Sequence, residues 1–267
     1  MPCKFWTTLF MLTKNERNSI KALRHRENRR LEKRMVVEGN KGVEELLNSS
    51  FETLQIYATS GVEISEIVGI AEKRNLEITE VGSKDMQIMS SLKSSPGILA
   101  VAKTKEIDAA SLVETLRKSV GMPTILVLDD LADPGNVGTL IRTADWFNLV
   151  GVVCSPGTVD MYNAKCIQSS MGSIFKIPVC ITDPSTFILE YNLKAVSLDA
   201  EGENLYESDF FPEVLVIGSE SHGVSEKLEN ACAKSWAIPG SGKTESLNAA
   251  IAGAIVLSEL SRRNSLK

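Results

Sequence analysis

Apolar positions recur along the chain with two different periods, and the changes of period predict the order of elements. Short apolar runs bounded by turn residues predict strands near 34–38, 53–58, 76–81 and 98–103. Apolar positions three and four apart predict helices near 40–48, 64–74 and 83–92. A second series follows, with strands near 124–130, 149–154, 177–181, 194–198, 214–218 and 234–238. Its helices fall near 136–147, 163–171, 184–191, 225–232 and 246–263. Strands alternating with helices predict an α/β fold with a mainly parallel sheet covered by helices. The stretch 103–123 reads as a connector carrying one helix and closed by Gly-Met-Pro. The expected division is a smaller N-terminal α/β domain over 11–105, a linker over 106–121 and a C-terminal domain over 122–267.

Composition narrows the class. With 267 residues, 43% of them hydrophobic and 24% charged, the chain can bury a sizeable core and is neither fibrous nor disordered in type. Five cysteines, an odd number without a C-x-x-C pair, argue against a disulfide scaffold and a structural zinc, and fit a reducing cytoplasm. Two histidines leave little for a His-based metal site, and no metal is expected. The apolar stretch Phe5–Leu12 is too short for a signal peptide and reads as an extension ahead of a start at Met11. No run approaches the roughly 18 apolar residues of a membrane span. The net charge of −5 is unevenly placed: Lys14–Arg34 holds nine Lys/Arg against three Glu, a local +6 that leaves −11 elsewhere. Such asymmetry suggests a footprint for an anionic polymer, although a solvated surface helix would carry the same charge.

The segment "IPGSGKTESLNAA" (238–250) raises the possibility of a phosphate-binding loop, since GSGKT lies between a strand and a helix. Ala237 stands where the pattern G-x-x-x-x-G-K-[ST] needs its first glycine, and Pro239 has no N–H to give a phosphate. The acid-ended strand 124–130 also precedes the loop by more than a hundred residues. That reading fails. The helix that follows is apolar on nearly all sides, which predicts burial in a core or between subunits. Taken alone, Ser246 and Asn248 are capping residues. In helix 136–147, Val137, Leu140, Ile141, Ala144 and Phe147 form one stripe, and Arg142 lies about 150° away from it. Strand 214–218 runs into Gly218, Glu220 and Gly223, at the edge where open α/β sheets bind ligands. By itself Glu220 reads more readily as a cap or surface acid.

Three segments in order are more specific than any one. N-x-G-x-x-x-R-T-A (136–144), I-G-S-E-x-x-G (217–223) and I-P-x-x-G-x-x-x-S-L-N (238–248) resemble the SpoU (TrmH-like) family of RNA ribose methyltransferases. The stretch 165–179 fits the family's connecting segment, and the resemblance covers about 122–263. More weakly, 31–47 is similar to the substrate-binding domain often attached to these enzymes, itself like a ribosomal protein that binds bent RNA.

The resemblance implies a parallel sheet whose C-terminal segment threads a loop as a trefoil knot. It also implies a homodimer with the active site formed across it. S-adenosylmethionine would bind in the knot against Gly218, Ile238 and Leu247, largely through backbone atoms, with close approach accounting for the glycine. Arg142 would activate a ribose 2′-hydroxyl. Asn136 and Glu220 would position Arg142 and substrate, and Ser246 and Asn248 would complete the site. The implied substrate is structured RNA, with ribosomal RNA favoured by the N-terminal domain. A transfer-RNA target stays open, as does a non-catalytic RNA-binding or ribosome-assembly factor. Gln168 departs from the pattern, standing where relatives carry arginine.

Overall fold

Apolar runs become strands close to where their period places them, and two separate sheets result. The computed structural model describes residues 6–7, 12–121, 123–244 and 246–265. They group into two units, Met1–Lys105 with Asp160–Phe175, and Glu106–Val159 with Lys176–Lys267.

In the first unit, β1 (Trp6–Thr7), β2 (Arg34–Glu38), β3 (Thr53–Ala58), β4 (Ile78–Glu80) and β5 (Ile98–Lys103) form a sheet in the order β1-β4-β3-β5-β2. β5 runs antiparallel to both β2 and β3, while β4 is parallel to β3 and β1. Helices α1 (Lys14–Ala22), α2 (Arg26–Glu32), α3 (Asn40–Leu47), α4 (Ser65–Lys73) and α5 (Ser83–Met89) accompany it. Ile20 and Leu23 meet Met86, Met89, Tyr57 and Leu99 in a shared core. Trp6–Thr7 falls within the expected N-terminal extension, yet it pairs with Ile78–Thr79 as a sheet strand. The rest of that extension lies outside the described residues.

The basic segment becomes α1, α2 and the start of β2, and at least five of its nine cations, Arg26 among them, are engaged with other groups. Arg17 bonds Asp85, Arg24 donates to the Ile88 and Ser90 carbonyls, Arg34 bonds Glu32 and Ser19, and Arg29 is buried. Lys14, Lys21, Arg30 and Lys33 remain exposed. The footprint is therefore smaller than the charge count indicates.

In the second unit, the continuous apolar runs "ILVL", "GVVC" and "VLVI" are buried at every residue, as strands covered on both faces must be. They form β6 (Ile125–Leu128), β7 (Gly151–Cys154) and β10 (Val214–Ile217), flanked by β8 (Val179–Ile181), β9 (Ala195–Asn204) and β11 (Lys234–Ala237). The order is β11-β9-β10-β6-β7-β8, and every pairing is parallel. The connecting helices are α6 (Ala109–Lys118), α7 (Pro134–Trp146), α9 (Pro184–Glu190), α10 (Glu226–Glu229) and α11 (Ala249–Ser265). A Cβ on Gly253 would fall 2.5 Å from Leu140 and 2.6 Å from Ile217, so α11 lies close against α7 and β10. No described helix is long and apolar enough to cross a membrane.

The two units differ from the division expected along the chain. Helix α6 lies in the expected linker, but its Leu112, Val113 and Leu116 join Ile125, Val127, Val214 and Val216 in the core of the second unit. Asp160–Phe175, with α8 (Ala164–Ser170), falls within the expected C-terminal domain and belongs to the first unit instead. Phe51 packs edge-on against Tyr162 and Phe175, with ring centroids 6.5 and 5.3 Å away. The Lys105 amide donates to Tyr162 Oη at 3.1 Å. Long-range contacts set these memberships, and a linear pattern does not display them.

Candidate active site

A parallel sheet turns all its carboxyl ends to one edge, and two adjacent strands there lead into site segments. After β6 the chain reaches Asp133, whose side chain accepts from the Asn136 amide at 2.8 Å and caps α7, with Pro134 in the first turn. Asn136 is thereby held at the helix start. After β10, Ser219 and Gly223 exchange two backbone hydrogen bonds of 2.9 Å and close a short loop around Glu220. A Cβ on Gly218 would lie 2.3 Å from the Gly223 carbonyl carbon and 2.5 Å from Val224 N. The loop's own closure therefore demands glycine, and ligand approach is not needed to account for it. Asp129, buried at the end of β6, accepts from the Ser225 amide at 3.3 Å and ties this loop to the neighbouring strand. Asp130 accepts from Ser155 Oγ at 2.8 Å. The two acids of strand 124–130 thus hold loops. Gly240–Thr244 is exposed, and α11 begins only at Ala249, so GSGKT does not open a helix as a phosphate loop must.

Three of the expected site residues meet. Asn248 Oδ1 accepts from the amides of Ala250 and Ile251 at 3.0 and 3.2 Å, capping α11. That cap turns the Asn248 amide group outward, where Nδ2 donates to Asn136 Oδ1 and to Glu220 Oε1, each at 3.1 Å. Asn136 Nδ2 also donates to Glu220 Oε1. One carboxylate oxygen gathers two amides, and Glu220 Oε2 has no partner among the described residues.

The other expected residues stand apart from this cluster. Arg142 is exposed, with no hydrogen bond or ion pair among the described residues. Six residues beyond Asn136, it lies about 120° round α7 and about 9 Å along it. Ser246 is exposed and likewise unbonded among the described residues. Gly218 and the half-buried Ile238 leave β10 and β11 at the same sheet edge, while Leu247, 48% exposed, precedes Asn248. Gln168 is exposed on α8, in the first unit.

A cleft of about 610 Å³ opens beside the cluster, lined by Asn136, Thr139, Asn248, Ile251, Ile255 and Tyr206 among others. Tyr206 lies in the single turn after β9, and no sequence motif marks it.

An all-parallel α/β sheet with an amide–carboxylate cluster at its carboxyl edge defines a ligand-binding α/β domain, here joined to a smaller unit with exposed cations. The family model described as the SpoU rRNA Methylase family matches residues 123–258, just over half of the chain, and the chain belongs to that family. An MRM3-like substrate binding domain matches 15–100. An uncharacterised tRNA/rRNA methyltransferase of Mycolicibacterium smegmatis is 30% identical, over 94% of this chain and 83% of its own length. The 23S rRNA (guanosine(2553)-2′-O)-methyltransferase RlmP of Bacillus subtilis is 36% identical, over 51% of this chain and 57% of its own. Among solved structures, a TrmH-family protein of Porphyromonas gingivalis superposes with a TM-score of 0.79 at 29% identity, covering 95% of this chain and all of that one. The AdoMet-bound rRNA methyltransferase of Sinorhizobium meliloti has the same fold, with a TM-score of 0.82 at 24% identity over 97% of this chain and 98% of its own.

Proposed function

We propose that the protein transfers a methyl group from S-adenosylmethionine to a ribose 2′-hydroxyl of structured RNA, with ribosomal RNA as the favoured target. The observation that carries this reading is the meeting of Asn136, Glu220 and Asn248, one from each family motif. The cofactor supplies an electrophilic methyl group on a sulfonium. The segment around its expected position suits it: among the described residues, those from Pro239 to Leu247 form no backbone–backbone hydrogen bonds, leaving amides and carbonyls for an adenosine. Ile238 and Leu247 provide apolar contact beside them. The trefoil threading of the C-terminal segment belongs to this same reading.

The chemistry asks for alignment and charge stabilisation, because an unactivated hydroxyl is a poor nucleophile. Glu220 Oε2 is placed to accept the hydroxyl proton in a hydrogen bond, and the two asparagines hold that carboxylate in one orientation. The Arg142 guanidinium stabilises negative charge as it forms on the 2′-oxygen. A single chain leaves Arg142 apart from the cluster, which supports a homodimer in which the arginine of one copy completes the site of the other. The RlmP relative and the substrate-binding unit support ribosomal over transfer RNA.

The test is methyl incorporation from labelled S-adenosylmethionine into RNA from cells lacking the gene, followed by mapping of 2′-O-methyl sites. S-adenosylmethionine at about 100 times its dissociation constant should also stabilise the protein by roughly 2.7 kcal/mol, while ATP with magnesium should not. Absence of incorporation despite cofactor binding would leave only the RNA-binding factor.

A further inference from the structure

Trp146, the last residue of α7, is 82% exposed. It follows Arg142 by four residues, so the two side chains stand on one helix face, about 40° apart and about 6 Å along the axis. Neither has a hydrogen bond, ion pair or ring contact among the described residues. An indole held in water contributes nothing to the core, although its ring could bury some 150–250 Å² against a partner.

We propose that Trp146 is a stacking platform for an unpaired base of the RNA substrate, beside the nucleotide whose ribose faces Arg142; this rests on the function proposed above. The residues around it decide the partner's chemistry. Thr139, Arg142, Thr143 and Trp146 share this side of α7; the threonine hydroxyls donate to the Gly135 and Thr139 carbonyls of their own helix at 2.8 Å each, which leaves a cation and one flat aromatic surface for a partner. That set matches a nucleotide, with a base for the ring and a phosphate for the guanidinium. An interface between protein copies would continue the apolar surface, and that surface lies on α11, at Ile251, Ala254 and Ile255. Arg142, the residue proposed to complete the site of a second copy, stands one turn before the indole, so the platform adjoins that site.

The experiment uses the full chain carrying Trp6→Phe, which leaves Trp146 as the exposed indole beside the buried Trp236. Fluorescence is titrated with single-stranded oligoadenylate and with a blunt RNA duplex. The oligoadenylate should quench the indole and the duplex should not. Trp146→Ala should weaken oligoadenylate binding by about 5- to 100-fold, Trp146→Phe should recover most of it, and Trp146→Leu should not. Melting temperature and S-adenosylmethionine affinity should be unchanged in all three. Unaltered binding by Trp146→Ala, or no quenching of the parent, overturns the proposal. So does a shift of Trp146→Ala from dimer to monomer in sedimentation, which would mean that the indole covers a second copy. These readouts do not involve methyl transfer, so an inactive protein with Trp146-dependent RNA binding would sink the catalytic reading alone.

Discussion

Arg29 reaches Asp160 across 131 residues of chain, its Nε donating to Oδ2 at 2.7 Å, with both side chains largely buried. The same guanidinium donates to the Leu23 and Arg24 carbonyls at 2.8 Å each. Asp160→Ala leaves a buried cation without its counter-charge, and breaking such a pair costs about 3–5 kcal/mol. Urea unfolding at neutral pH should register that loss. The same packing bears on truncation. Removing residues 1–105 strips the partners of Met161, Tyr162, Ile174 and Phe175, so the remainder should aggregate or lose cooperative melting.

The cluster at the site allows a cleaner substitution. Asn248→Asp keeps the oxygen that caps α11 but replaces the amide donors with a second carboxylate facing Glu220. Melting should change little, as Asp and Asn are comparable caps. Single-turnover methyl transfer should fall by about 10²–10³-fold, the scale seen when a positioned donor is lost. Near-parental turnover would detach Asn248 from the chemistry.

Arg142→Ala should likewise lower turnover by about 10²–10³-fold while leaving cofactor affinity in place. Because Arg142 is exposed and off the apolar stripe, stability should stay within about 0.5 kcal/mol. Lysine restores charge without the planar fork, so Arg142→Lys should recover only part of the rate. Melting curves and cofactor titration beside the kinetics separate these effects.

How much of this was legible in the chain depends on the range of the interaction. The β6, β7 and β10 runs and the α7 stripe lie close to their predicted positions, because burial on both faces or along one stripe leaves a local period. Arg142 points away from the core as that stripe requires. The hydrogen bonds joining Asn136, Glu220 and Asn248 cross 84, 28 and 112 residues, and no period encodes them. Order and spacing of the motifs, read through a family resemblance, supplied those names. Tyr206 had neither signal. Strand β9 also runs to Asn204 and not 198, because its pairing with β11 shifts register between Ser235 and Trp236, and a bulge leaves no apolar alternation to follow.

Assembly is open to a point substitution. Ile251, 55% exposed, lies with Ala254 and Ile255 in the α7–α11 cleft. If a second copy covers this face, Ile251→Asp should convert a dimer at micromolar concentration to monomer in sedimentation and abolish turnover. A parent protein that is monomeric and fully active would remove the dimer from the mechanism.

Part of the acid sensitivity should arise at the end of α11. The Arg262 guanidinium, and then that of Arg263, hold the Glu259 carboxyl at about 2, below its ordinary 4.5. Since the folded value is the lower one, this stabilisation is fully present above about 4.5 and is lost as pH falls through about 2. Arg263 also donates to the Ser208 carbonyl at 2.7 Å and lies over the Trp236 ring at 5.5 Å. Comparing unfolding of the parent and Glu259→Gln across that range should show a difference at neutral pH that shrinks in acid. A constant difference would assign the effect to packing.

Asn248 has two tasks in one side chain, and this links the site to the fraying of a helix. Its Oδ1 occupies the Ala250 and Ile251 amides while its Nδ2 holds Glu220 and Asn136. Whenever the first turn of α11 opens, those amides reach water and the carboxylate loses an anchor in the same event. Exchange of the Ala250 and Ile251 amide hydrogens into deuterium oxide therefore times the lifetime of the assembled site. A slower clock in the presence of RNA and cofactor would record how firmly the substrates close it.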